Sequence, residues 1–111
     1  MAANYDITIE QGATFTFTLT VTGVNLTGYT ARMQGRTSHA ATATVFNLSS
    51  PSTGIVVTPG TNSTIAVTLT ATQTAAFTAP LEGVYDLEYT DGTVVQRILE
   101  GTFRVTPEVT R

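Results

Sequence analysis

Ala13-Thr14-Phe15-Thr16-Phe17-Thr18-Leu19-Thr20-Val21-Thr22 decides the fold. Phe15, Phe17, Leu19 and Val21 fall on one side of an extended chain and five threonines on the other. On a helix the same residues would scatter around every face, so the period of two specifies a strand with one buried side. A slip of one residue would turn four large apolar side chains into water, so the register is fixed as well.

The pattern spreads outward from this segment. Upstream, Tyr5, Ile7 and Ile9 alternate with Asp6 and Thr8 and predict a short strand ending at Gln11-Gly12. Downstream, Gly23 to Thr27 connects to a strand over Tyr29–Gln34, with Tyr29, Ala31 and Met33 inward. Gly35 to Ala41, which holds the lone His39, has weak periodicity and is predicted as a loop. Thr42 to Leu48 is predicted as a strand with Thr44, Phe46 and Leu48 on one face. Ile55–Thr58 and Ser63–Leu69 form a hairpin about Pro59-Gly60-Thr61-Asn62.

Thr70-Ala71-Thr72-Gln73 carries a different signal, a capping box with Thr at the N-cap and Gln at N3. It predicts a short helix over residues 71–77, stopped by Pro80 and Gly83, with Phe77 plugging the core. Val84–Thr90 and Thr93–Leu99 flank Asp91-Gly92, which predicts a two-residue type I′ turn. That turn sets Thr90 opposite Thr93, Tyr89 opposite Val94, Leu87 opposite Gln96 and Tyr85 opposite Ile98. It also sets Asp86 opposite Arg97 as a cross-strand ion pair, and Glu88 opposite Val95. Gly101 is read as a break, followed by a last strand Thr102–Thr106 with Phe103 and Val105 inward and Pro107 as its stop.

About eight short strands and one helix, with turn signals roughly every ten residues, predict an all-β antiparallel sandwich of the immunoglobulin-like kind. The 111 residues suit one domain, 1–111, with 107–111 an extended C-terminal tail. Threonine, 25 residues of the 111, supplies the solvent faces. Only 12% of residues are charged, so these faces are polar yet desolvate at low cost in a contact.

Composition also bounds the chemistry. With no cysteine and one histidine, thiolate and multi-histidine metal sites cannot form within a chain. The net charge of −3 and the absence of lysine predict no nucleic-acid partner, and no run approaches the ~18 apolar residues of a membrane span. Asp86 and Glu88 share a strand face roughly 7 Å apart, but no tryptophan platform accompanies them and Tyr85 and Tyr89 point the other way. With Asp91 they lack the closely spaced oxygens of a calcium loop. His39 has no acidic neighbour in sequence, and no serine stands in nucleophile-elbow spacing. The reading is non-catalytic, without cofactor or metal.

Three stretches carry a resemblance. They are Asn4-Tyr5-Asp6-Ile7-Thr8-Ile9-Glu10-Gln11-Gly12, then Leu26-Thr27-Gly28-Tyr29-Thr30-Ala31-Arg32-Met33-Gln34, then Val84-Tyr85-Asp86-Leu87-Glu88 with Glu100 to Arg111. Together they resemble small tailed-bacteriophage virion proteins and, more loosely, the immunoglobulin-like N-terminal domain of siphophage upper baseplate proteins. The resemblance implies a virion structural protein, made in the host bacterial cytoplasm. It would dock on a symmetric assembly at the tail, baseplate or neck and link subunits or fibres. Its partners would be other virion proteins (tail, baseplate, neck, fibre or major capsid protein) and further copies of itself. A capsid decoration protein and a carbohydrate-binding module for host glycans are the alternatives. The candidate contact residues are Tyr5, Ile7 and Ile9 on the first strand, Arg36 and His39 in the predicted loop, and Pro107, Val109 and Arg111 in the tail.

Overall fold

The alternation of apolar and threonine residues produces two β-sheets that share one core. The computed structural model describes residues 3–50 and 54–108. In chain order the elements are β1 (Ala3–Asn4), β2 (Ile7–Glu10), β3 (Phe15–Val21), β4 (Thr30–Arg36), β5 (Phe46–Ser49), β6 (Ile55–Thr58), β7 (Ser63–Leu69), α1 (Ala71–Ala75), β8 (Leu81–Thr90) and β9 (Val95–Thr106). One sheet has the order β1-β9-β8-β4-β5, with β2 continuing along the outer side of β9; the other has the order β3-β7-β6. Apart from the N-terminal strands, all pairs are antiparallel.

The core lies between the sheets. Met33 of β4 and Leu87 of β8, directly opposite each other, meet Ile65, Val67 and Leu69 of β7 and Ile55 of β6. Phe103 of β9 stacks edge-on against Phe46 of β5, with ring centroids 5.1 Å apart.

Two buried hydroxyls tie loops to this core. Thr74 of α1, fully buried, donates to Ala13 O (2.8 Å) and accepts from Gly12 N (3.0 Å). Ser63, also fully buried, accepts from Leu26 N (2.9 Å) and donates to Val24 O (2.8 Å). Thr74→Val keeps the shape but orphans the Gly12 amide and the Ala13 carbonyl. It is expected to cost about 1–3 kcal/mol, read as a lower urea midpoint at unchanged slope.

The helix starts at its capping box. Thr70 Oγ1 accepts from Gln73 N (3.2 Å), and Gln73 Oε1 accepts from Thr70 N (2.8 Å). It ends at Ala75, earlier than the 71–77 expected, and Phe77 lies partly buried with its ring 6.3 Å from that of Phe46.

Several other expectations are corrected. Gly35 and Arg36 belong to β4, because Gly35 pairs with Phe46 on one side and Tyr85 on the other. The predicted strand from Thr42 begins only at Phe46, and Thr44 is exposed. The β8–β9 connection is not a two-residue turn, since the ladder closes at Thr90 opposite Val95. Asp91 Oδ1 captures both Thr93 N (2.9 Å) and Val94 N (2.8 Å), and Gly92 takes a φ of +98°. The aspartate thus organises a four-residue loop instead of the tight turn.

A bulge between Leu87 and Glu88 then shifts the register by one residue, skipping Ile98 and placing Leu87 opposite Leu99 and Tyr85 opposite Gly101. Asp86 lies opposite Glu100, not Arg97, yet Arg97 Nε still reaches Asp86 Oδ2 diagonally at 3.5 Å. Gly101 does not break the strand, and β9 runs through it for 12 residues.

Candidate interaction surfaces

Period-two alternation decides which side chains of the first strand can meet a partner. β1 and β2 lie parallel to β9, with Ile7 opposite Phe103 and Ile9 opposite Val105. Ile7 and Ile9 are therefore core residues, buried to 5% and 0% exposure, and their side chains are not available as contacts. Thr8 and Glu10 point outward instead. Tyr5, at the junction of the two strands, is 52% exposed. Its ring meets Phe17 of the other sheet at 6.4 Å, and Phe17 in turn meets Phe15 at 5.8 Å.

Backbone groups hold this strand in place. Tyr5 N donates to Glu100 O (2.8 Å), Tyr5 O accepts from the Tyr85 hydroxyl, and Asp6 Oδ1 accepts from Thr102 N (3.0 Å). The hydrogen bonds from Thr102 hold the Asp6 carboxyl below its ordinary value of 3.8. Those from Val94 and Thr93 do the same for Asp91. Burial, aided by Tyr5 and Asp6, pushes the Tyr85 phenol well above its ordinary 10.0.

The signs follow. A lowered carboxyl stabilises the fold above its unfolded value, and that stability is lost as pH falls through the folded value. A raised phenol stabilises below its unfolded value and ceases to do so as pH rises through the folded one. Asp6→Asn is expected to flatten the acid limb of the stability profile, measured as urea midpoints between about pH 5 and pH 2. Tyr85→Phe is expected to flatten the alkaline limb.

The outer face of the larger sheet carries the charge. Arg32 pairs with Glu88, Arg97 lies between Asp86 (3.5 Å) and Glu100 (3.4 Å), and Arg104 Nη2 meets Glu82 Oε2 at 2.9 Å. These exposed pairs contribute at most ~1 kcal/mol each, but they engage the guanidinium groups within the chain. Arg36 is engaged too. It donates to Ala41 O (3.1 Å), Thr42 O (2.6 Å) and Gln34 Oε1 (2.9 Å), clamping the loop that follows β4.

Arg36 and His39 come together on this face. With Asn4, Asp86, Arg97 and Glu100 they line a polar depression of about 320 Å³. Its charges are of mixed sign, Arg97 pairing with Asp86 and Glu100 while Arg36 is held by neutral acceptors, which suits a polar contact better than a single ion. Pro107 lines a shallower hollow with Pro80, Leu81, Glu82 and Arg104, just past the C-terminal end of β9, whereas Tyr5 is bound to Glu100 in the middle of that strand. Val109 and Arg111 lie outside the described residues. Among the described residues no three His, Asp or Glu side chains cluster to hold a metal ion, and no helix is long and apolar enough to cross a membrane.

Sequence reasoning missed the edge of β3. The strand itself was plain, but its apolar row is only half-buried, because β3 ends its sheet. Period two names the inward face of a strand; it does not say whether a neighbour stands beside it. Compared with protein-family models and with curated proteins, the chain matches none.

Proposed function

We propose that the chain is a non-catalytic structural protein of a tailed-bacteriophage virion. In this reading it is an immunoglobulin-like sandwich that docks on a symmetric assembly at the tail, baseplate or neck and links neighbouring subunits or fibres. The observation that carries it is the strand order. In this reading β9-β8-β4-β5 and β3-β7-β6 would be the G-F-C-C′ and B-E-D strands of a variable-type immunoglobulin-like sandwich, with β1 and β2 added parallel along G. No disulfide pins the sheets, and Met33 and Leu87 fill the centre with apolar contact instead.

The surfaces favour adhesion. The threonine faces desolvate at low cost, and the ion pairs satisfy one another without an outside ligand. A glycan module would need a platform of exposed aromatic rings. Among the described residues Tyr5, about half exposed, is the only exposed aromatic.

Quantitative protein analysis of virions purified from the phage that encodes the chain tests the reading. A copy number equal to a small multiple of the tail's rotational symmetry is expected. A value on the order of hundreds would move the protein to the head lattice as a decoration protein, and its absence from the particle would end the proposal.

A further inference from the structure

β3 stands at the edge of its sheet, and among the described residues nothing pairs with its outer side. The ladder determines which groups it offers there. Thr68 N donates to Gly54 O (2.8 Å), on the β6 side of β7, so it turns away from β3. Thr16, opposite Thr68, therefore exchanges no backbone hydrogen bonds with β7, only a hydroxyl–hydroxyl contact at 3.2 Å, and its own N–H and C=O face outward. Alternation extends this to Thr18 and Thr20. The edge is a row of three amide donors and three carbonyl acceptors.

Proteins ordinarily blunt such an edge with charge, proline or a bulge. β3 uses none of these. No charged residue and no proline occurs from Gln11 to Ala31, and the register with β7 is unbroken from Phe15 to Val21. Beside the free backbone, Phe15, Phe17, Leu19 and Val21 remain half-exposed, and Tyr5 of the other sheet extends the apolar surface.

We propose that this edge is a homotypic docking site, at which β3 of a second copy adds antiparallel across a two-fold axis through Thr18. The strand is its own complement in that register. Thr18 faces Thr18 and Thr16 faces Thr20, so every outward N–H meets a carbonyl. Phe17 faces Leu19 and Phe15 faces Val21, so the apolar row continues as apolar and the threonine row as threonine.

Electrostatics favours the same occupant. Each chain carries −3, and this uncharged edge lets two acidic chains meet with no like charges on the paired strands. A strongly charged partner strand would find no counter-charge on it. A seven-residue edge at ~3.4 Å per residue, about two sheet layers deep, buries roughly 500 Å² per copy, short of the ~800 Å² of a standard stable interface. The pairing is therefore weak and concentration-dependent, suited to copies held side by side. The inference goes beyond the assembly reading and does not rest on it, since two isolated chains suffice.

The experiment uses the absence of cysteine, which makes any introduced thiol the only one. Residues facing each other in a hydrogen-bonded antiparallel pair have Cα atoms ~5.5 Å apart, within disulfide reach. Thr18→Cys, oxidised with glutathione disulfide, is expected to form a covalent dimer at least ~10-fold faster than Thr16→Cys or Thr20→Cys alone, whose like residues sit ~13 Å apart. An equimolar mixture of Thr16→Cys and Thr20→Cys is expected to cross-link as the mixed dimer. Sedimentation equilibrium of the unaltered chain should show average mass rising with concentration, and Thr18→Lys should abolish the rise. Equal cross-linking at positions 16 and 18, or a Thr18→Lys chain that associates as the parent does, would overturn the proposal. A failed cross-link in a chain still found in virions would remove this edge alone.

Discussion

Phe103→Ala is expected to lower stability by about 3–5 kcal/mol, the range for deleting a buried phenylalanine ring. Phe103 is 1% exposed and sits where three strands converge. Ile7 lies opposite it on β2 and Gly83 opposite it on β8. The ring occupies the space over Gly83, where a Cβ would stand 2.6 Å from a ring atom, and it packs edge-on against Phe46. Loss of the ring opens a void that neither Gly83 nor the sheet backbone can fill. Small domains have only ~5–15 kcal/mol of stability, and 1 kcal/mol moves the midpoint by about 4–8 °C at this size. A drop of more than about 12 °C in Tm is therefore expected by calorimetry. Phe103→Leu should recover more than half of it. A Tm for Phe103→Ala within a few degrees of the parent would mean that the ring is not in the core.

Gly101→Val is expected to release the N-terminal strand from β9 at a cost of about 2–4 kcal/mol, combining overpacking with lost hydrogen bonds. A Cβ at position 101 would lie 2.8 Å from the Tyr5 carbonyl carbon and 3.0 Å from Asp6 Oδ1. That backbone cannot yield cheaply. It is held by Glu100 O on one side of Tyr5 and by the Tyr85 hydroxyl and Thr102 N beyond it. The damage should be local. Amide hydrogen exchange is expected to accelerate in residues 5–10 and in Thr102, while β3 and β7 keep their protection. Uniform acceleration throughout the chain would contradict the tight approach of these two strands.

How much of this was legible in the sequence depended on the range of the interaction. The inward row of β3, the β6–β7 hairpin and the capping box were readable because each is fixed within a few residues. Alternation puts Ile7 and Ile9 on one face but does not say whether that face meets the core or a partner. Their burial requires β9, some ninety residues away in the chain, to lie parallel beside them. The β8–β9 register failed for a chemical reason: one carboxylate oxygen on Asp91 accepts two amides and lengthens the loop. Gly101 resembles a breaker in sequence, yet its role is to let another strand's carbonyl approach. Nothing in the local sequence shows that the loop carbonyls at Ala41 and Thr42 occupy the Arg36 guanidinium.

The two interior alcohols, on Thr74 and Ser63, have a consequence for handling. Where many small secreted domains rely on sulfur cross-links, this one is bolted by hydroxyl groups that no thiol reagent can open. Its melting curve should be the same in dithiothreitol as in air.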